Sequence, residues 1–297
     1  TFGPGATNMT TGAGGALLDR SPVIIFTSEL EDKMIHRTTQ MNINHQKLFE
    51  PLTKATFRLT PGDAAEVIDK AMKICKEEYP GPVHIGLPSD IANSEILEAN
   101  GSGPAESSKA YINDPDRIIS LLEKSRRPLI TAGLTSARHE IGSKLAAFLE
   151  RFKIPVVLTP MAKGLLPEDH PCYAGVLCHA LSDYLEDIFE GTDLVIGLGY
   201  DQVEYNYEAW IPDVPLVHFD TKQTDLPSFR NAVQFAGNPD EWFRMLEKLD
   251  HGSLIFNKSS IQSVRDETAS VFNGFTDHFG PVTALKVLQE ELPGDVI

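Results

Sequence analysis

The chain alternates short apolar runs with stretches whose apolar residues recur at helical spacing, and few folds accept that pattern. Val23–Thr27, Pro82–Leu87, Leu129–Ala132, Pro155–Thr159, Leu194–Leu198 and Leu216–Phe219 are runs of the kind expected of strands covered on both faces. Between them, Ala64, Val67, Ile68, Ala71, Met72 and Cys75 fall on one helical face, with Asp63 and Glu66 placed as a capping box. Asp114 and Pro115 are suited to open a helix that turns Ile118, Leu121 and Leu122 inward. Ile141–Phe152 and Leu181–Phe189 repeat the helical spacing, and Gly5–Arg20 reads as a helix rich in small residues. Strand, helix, strand, helix predicts parallel strands joined by crossover helices. The fold class is therefore α/β, and a ligand is expected beyond the carboxyl ends of the strands.

Two such stretches are separated by Glu98–Lys109 (EANGSGPAESSK), which carries no large apolar residue and has the composition of a linker. Expected are a partial unit over 1–98, a linker over 99–112, a complete Rossmann-like unit over 113–275, and the opening helix of a further unit over 276–297. The chain starts Thr1-Phe2-Gly3-Pro4-Gly5, without methionine or a leader pattern, and Pro293 to Ile297 reads as a turn entering a strand. Both ends are thus expected to be internal to a longer protein. Thr1 as an N-terminal nucleophile would call for layered antiparallel sheets, which the alternation contradicts.

Charge and composition exclude several partners. The formal charge of −16 over 297 residues is the opposite of a nucleic-acid footprint and disfavours an anionic membrane surface. No apolar run approaches the roughly 18 residues that cross a bilayer. Three cysteines, Cys75, Cys172 and Cys178, make no disulfide framework, so a reducing, cytoplasmic setting is expected. His170, Cys172, Cys178 and His179 do not have the spacing of common zinc sites, and no metal is assigned to them.

Gly3-Pro4-Gly5-Ala6-Thr7-Asn8 is the most distinctive string. Read from its residues, it is a glycine-rich turn feeding a helix, either a place for a polar ligand edge or simply a tight turn and cap. The string is followed by Leu17-Leu18-Asp19-Arg20-Ser21-Pro22, by Pro51-Leu52-Thr53-Lys54, and by Gly81-Pro82-Val83-His84-Ile85-Gly86-Leu87-Pro88-Ser89-Asp90. Then come Lys163-Gly164, Pro167-Glu168-Asp169-His170-Pro171 and Ala174-Gly175. In this order over nearly the whole chain, these strings resemble the thiamine-diphosphate-dependent enzymes of the acetolactate-synthase-like family.

The resemblance implies two parallel-sheet units: part of a pyrimidine-binding domain and a Rossmann-like central domain. It implies that Pro4 and Asn8 face thiamine diphosphate. It also implies an essential glutamate before Thr1 and a diphosphate and magnesium site after Ile297, so no catalytic residue and no metal ligand is expected within the chain. The substrate would be a 2-oxo acid, decarboxylated and transferred as a carbanion to an acceptor, and the protein a homo-oligomer. One departure stands out. A glutamine common in the family aligns with Met41, Gln40 lying one residue early, and a thioether cannot donate the glutamine's hydrogen bond. His45 is either polar lining of the site or a core histidine.

Relatives bind FAD, ADP or nothing in the central domain. The candidate positions here are Gly133, Thr159 and Gly199, at the starts of three loops that follow strands. Asp201 stands where FAD-binding relatives often carry an arginine, and a carboxylate repels phosphate, which argues against FAD bound in the usual way. Two functional expectations result. One is a fragment of a thiamine-diphosphate-dependent decarboxylase or carboligase, inactive by itself. The other is a non-catalytic module that binds a nucleotide or has a structural role.

Overall fold

A computed structural model describes residues 2–92, 94, 111–112, 114–177, 182–226, 231–273 and 280–292. The chain divides into two compact units, Thr1–Ser108 and Lys109–Ile297.

The first unit is a three-stranded parallel sheet of β1 (Ile24–Glu29), β2 (Ala55–Arg58) and β3 (Val83–Pro88) in the order β1-β3-β2. The helices are α1 (Gly3–Asn8), α2 (Thr10–Leu18), α3 (His45–Phe49) and α4 (Ala64–Lys76). Alternate residues of β1 point to opposite faces. Ile25 packs with Ala6, Ala13 and Phe49 on one side, and Ile24 with Val83, Ile85 and Ala71 on the other. The helix expected over Gly5–Arg20 is two, interrupted at Met9, where the Thr10 hydroxyl bonds the Thr7 carbonyl at 2.7 Å. The capping box expected at Asp63 does not form. Its carboxylate accepts from the Thr60 amide at 2.8 Å, closing the preceding turn instead.

The second unit is a seven-stranded sheet. Its strands are β4 (Tyr111–Ile112), β5 (Pro128–Ala132), β6 (Val156–Leu158), β7 (Tyr173–Val176), β8 (Leu194–Leu198), β9 (Leu216–Asp220) and β10 (Ala232–Ala236). They lie in the order β4-β10-β9-β8-β5-β6-β7, all parallel except the edge strand β4, which runs antiparallel to β10. The two residues of β4 fall within the stretch expected to be linker. Helices α5 (Pro115–Lys124), α7 (Gly142–Phe152) and α9 (Pro239–Leu246) cover one face. Helices α8 (Glu186–Phe189) and α10 (Lys258–Asn273) cover the other. The short α6 (Leu134–Arg138) follows β5, and α11 (Pro281–Glu291) ends the described chain.

This two-sided burial explains the apolar runs. Every residue of β5, β8 and β9 is buried, with Ile130, Ile196 and Val217 on one face and Leu129, Val195 and Leu216 on the other. Asp114 caps α5 as expected, its carboxylate accepting from the Arg117 amide at 3.1 Å, and Ile118 and Leu122 are fully buried. The sheet order reverses between β5 and β8, so the crevice of a doubly wound fold lies where these two strands end.

Candidate functional site

Two places answer to the sequence expectations, one in each unit. In the first unit, α1 buries Gly3 and Ala6 and leaves Pro4 and Asn8 exposed on its outer side. The Thr7 hydroxyl bonds the Pro4 carbonyl at 3.0 Å, and the Gly3 amide bonds the Met41 carbonyl at 2.9 Å. Met41, with a left-handed φ of 60°, therefore holds its segment against the start of α1 through its backbone. Its side chain and those of Met9 and Ile43 are exposed, so the surface beside Pro4 and Asn8 is largely apolar.

Behind this surface is a buried polar network that sequence analysis missed, except for His45. The hydroxyl of Thr27, in β1, is 2.8 Å from His45 Nδ1 and 2.8 Å from His84 Nε2. His84 Nδ1 in turn is 2.7 Å from the Thr56 hydroxyl, in β2. Phe49 stacks on the His84 ring at 4.2 Å. Glu29, at the carboxyl end of β1, accepts from Arg58 Nε at 2.7 Å and from Gln46 Nε2 at 2.5 Å. Burial pushes His84 down to about 4, with His45 beside it acting in the same direction. Burial also lowers His45, and the nearby Glu29 carboxylate opposes that shift. Both imidazoles are therefore neutral near pH 7. His45 is a core histidine, 2 % exposed.

Among the described residues, Glu29, His45 and His84 are the one group of three side chains near enough to share a metal ion, their ligand atoms lying within 4.8 Å of one another. Its chemistry does not favour one. The Arg58 guanidinium already neutralises Glu29, and the Thr27 hydroxyl sits between the two rings. Two imidazoles and one carboxylate are also not the oxygen set that magnesium takes. The His170 Nδ1 accepts from the Cys172 amide at 3.2 Å, and Cys172 is buried. Cys178, His179 and Thr1 lie outside the described residues.

In the second unit, Gly133, Thr159 and Gly199 all stand at the carboxyl ends of strands, after β5, β6 and β8. They are brought together tightly. A Cβ on Gly133 would lie 2.6 Å from Tyr200 Cα, and Gly199 has a φ of +53°. The Thr135 amide bonds the Gly199 carbonyl at 3.0 Å, and the Thr159 amide bonds the Ala132 carbonyl at 3.0 Å. Asp201 is buried at the start of the loop after β8. It accepts from the Val203 amide at 3.1 Å and forms the turn that carries Glu204. Glu204 Oε2 accepts from the Leu134 amide at 3.0 Å, and Oε1 from the Met161 amide at 3.1 Å. Burial raises the Glu204 carboxyl, and these backbone hydrogen bonds oppose the rise.

Residues 115–247 match the family described as thiamine pyrophosphate enzyme, central domain. A probable acetolactate synthase large subunit of Methanocaldococcus jannaschii is 33% identical over 242 residues, 76% of this chain and 40% of that protein. The chain belongs to the thiamine-diphosphate-dependent, acetolactate-synthase-like family. The acetolactate synthase large subunit of Lactococcus lactis is 28% identical and aligns with all of this chain and 54% of its own length. The chain thus spans about half the length of the curated relatives it matches. In fold, the crystal structure of benzoylformate decarboxylase from Polynucleobacter necessarius superposes with a TM-score of 0.69 at 23% identity, covering 86% of this chain and 49% of that one. The expected fold class, two α/β units with parallel sheets, agrees with this neighbour, β4 being the antiparallel exception. Among the described residues no helix is long and apolar enough to cross a membrane.

Proposed function

We propose that these residues are part of a thiamine-diphosphate-dependent enzyme that decarboxylates a 2-oxo acid and passes the resulting carbanion to an acceptor. Pro4 and Asn8 supply one wall of the aminopyrimidine pocket, and the second unit is the central domain. The observation that carries this is the exposure of Pro4 and Asn8 on α1 while Gly3 and Ala6 are buried and the Met41 carbonyl holds the start of the helix. A rigid proline ring and a free carboxamide suit the face and the polar edge of a heteroaromatic ring. The cofactor supplies a ring that acts as electron sink; the protein's part is to hold and orient it.

The fit is partial. The described residues provide a wall for the pyrimidine end, whereas the one metal-apt cluster is buried, arginine-held and rich in imidazole, unsuited to a magnesium diphosphate. Magnesium and the diphosphate therefore belong to residues outside the described set. We place the working enzyme in a homo-oligomer in the cytoplasm, and the 297 residues by themselves are inactive. Carbon dioxide release from a panel of 2-oxo acids, with thiamine diphosphate and magnesium, tests this. Turnover is expected from a longer chain containing these residues and none from the 297 residues alone. Turnover by the short chain overturns its inactivity, and no turnover by the long one overturns the enzyme.

A further inference from the structure

The crevice where the second unit's sheet order reverses is filled from within. In a doubly wound fold, the phosphates of a bound nucleotide sit against backbone amides of the loop after the first strand. Here that place lies between the carboxyl ends of β5 and β8. Its amide, Leu134 N, is taken by Glu204 Oε2 at 3.0 Å, and the same carboxylate takes Met161 N, on the loop after β6, at 3.1 Å. Glu204 itself comes from the loop after β8, through a turn closed by the Glu204 amide on the Asp201 carbonyl at 3.1 Å. One carboxylate thus ties together the three loops that would otherwise receive a ligand.

We propose that Glu204 is a specificity-determining residue: a resident anion that occupies the phosphate position of the central domain and excludes nucleoside diphosphates. The carboxylate satisfies amides from two loops with two oxygens, as a phosphate would, and its negative charge repels an incoming one. The loops are also closely packed beside it. Gly133 lies so near the backbone of Tyr200 that a single carbon there would collide at 2.6 Å, and the Tyr200 side chain is fully buried, its hydroxyl bonded to the Tyr205 carbonyl at 2.5 Å. The role is local to the second unit and does not depend on how the first unit meets thiamine diphosphate.

The test is isothermal titration of the 297-residue chain with ADP and, separately, with inorganic pyrophosphate. The wild-type chain is expected to give no binding heat with either at millimolar concentration. Glu204→Ala frees both amides and removes the charge, and pyrophosphate should then bind measurably, with a dissociation constant about ten- to a hundredfold below the millimolar limit set by wild type, the range of charge-assisted hydrogen bonds. Glu204→Gln keeps the shape but loses the charge, and its NH2 group cannot accept from a second amide, so a smaller gain is expected. Circular dichroism melts establish that each variant is folded; if the alanine variant is not, the glutamine variant decides. ADP binding by the wild-type chain overturns the proposal. So does a folded variant that takes up pyrophosphate no better than wild type.

Discussion

Arg58 reaches across a strand to hold Glu29. The two residues end β2 and β1, which flank β3 without touching each other, and the 2.7 Å bond from Arg58 Nε to Glu29 Oε2 passes over Gly86 of β3. A Cβ on Gly86 would lie 2.1 Å from Glu29 Oε1 and 2.8 Å from Gln46 Nε2. Glycine is thus the residue that lets an ion pair bridge the sheet at this level.

Gly86→Ala should therefore destabilise the first unit, by roughly 3 kcal/mol, because the new methyl must displace a buried carboxylate as well as crowd the strand. The loss would appear as a lower urea midpoint with an unchanged slope. Stability equal to wild type would show that the pair has room to move aside.

Glu29→Ala leaves a guanidinium with its buried partner removed and should cost about 3 kcal/mol or more. Arg58 is partly solvent-accessible and also pairs with Asp32, so it has somewhere to turn. The double variant Glu29→Ala, Arg58→Met should recover part of the loss, and a coupling energy above about 1 kcal/mol in the mutant cycle is expected.

His84 makes a prediction in pH. Its folded-state value is about 4, against 6.5 when unfolded, so between those values the unfolded chain binds the extra proton. Stability from this group is fully present above about pH 6.5 and is lost as pH falls towards 4, amounting to about 3 kcal/mol. Urea melts of wild type and His84→Gln at pH 7, 5.5 and 4.5 should converge as the pH drops. Parallel curves would mean that His84 is not held neutral.

Asn8→Ala separates binding from folding. Asn8 is exposed on α1, and surface changes of this kind fall within about 0.5 kcal/mol. Its melting temperature should match wild type, while the longer enzyme proposed above, carrying the change, should need more thiamine diphosphate for half-maximal turnover. An unchanged requirement would remove Asn8 from the cofactor wall.

Four of the seven strands of the second sheet, β5, β6, β8 and β9, were legible because both of their faces are covered, whereas β7 and β10 were not expected. Leu194–Leu198 has the expected limits and Leu216–Asp220 runs one residue further, since a strand buried on two sides has no reason to carry polar residues. Ala55–Arg58 was overlooked because none of its four residues is fully buried and its last is an arginine, so neither an apolar run nor an alternation appears. The edge strand β4 has two residues, too few for any period.

The buried network was hidden for a related reason. Thr27, Glu29 and His84 lie inside or at the end of strand-like runs, where a polar residue reads as an interruption. The signal that was present is the spacing of Thr27 and Glu29, two apart and hence on one face of β1. Glu204 gave less: only the fold shows that a carboxylate three residues past Asp201 returns to amides 70 and 43 positions earlier.

The two-residue strand Tyr111–Ile112 runs against the last two residues of β10, Phe235 and Ala236, and covers that end of the sheet margin. Cutting the chain just after it would bare that end as well and lengthen the open edge on which a second molecule can pair. Anyone isolating the second unit should begin the polypeptide upstream of Tyr111.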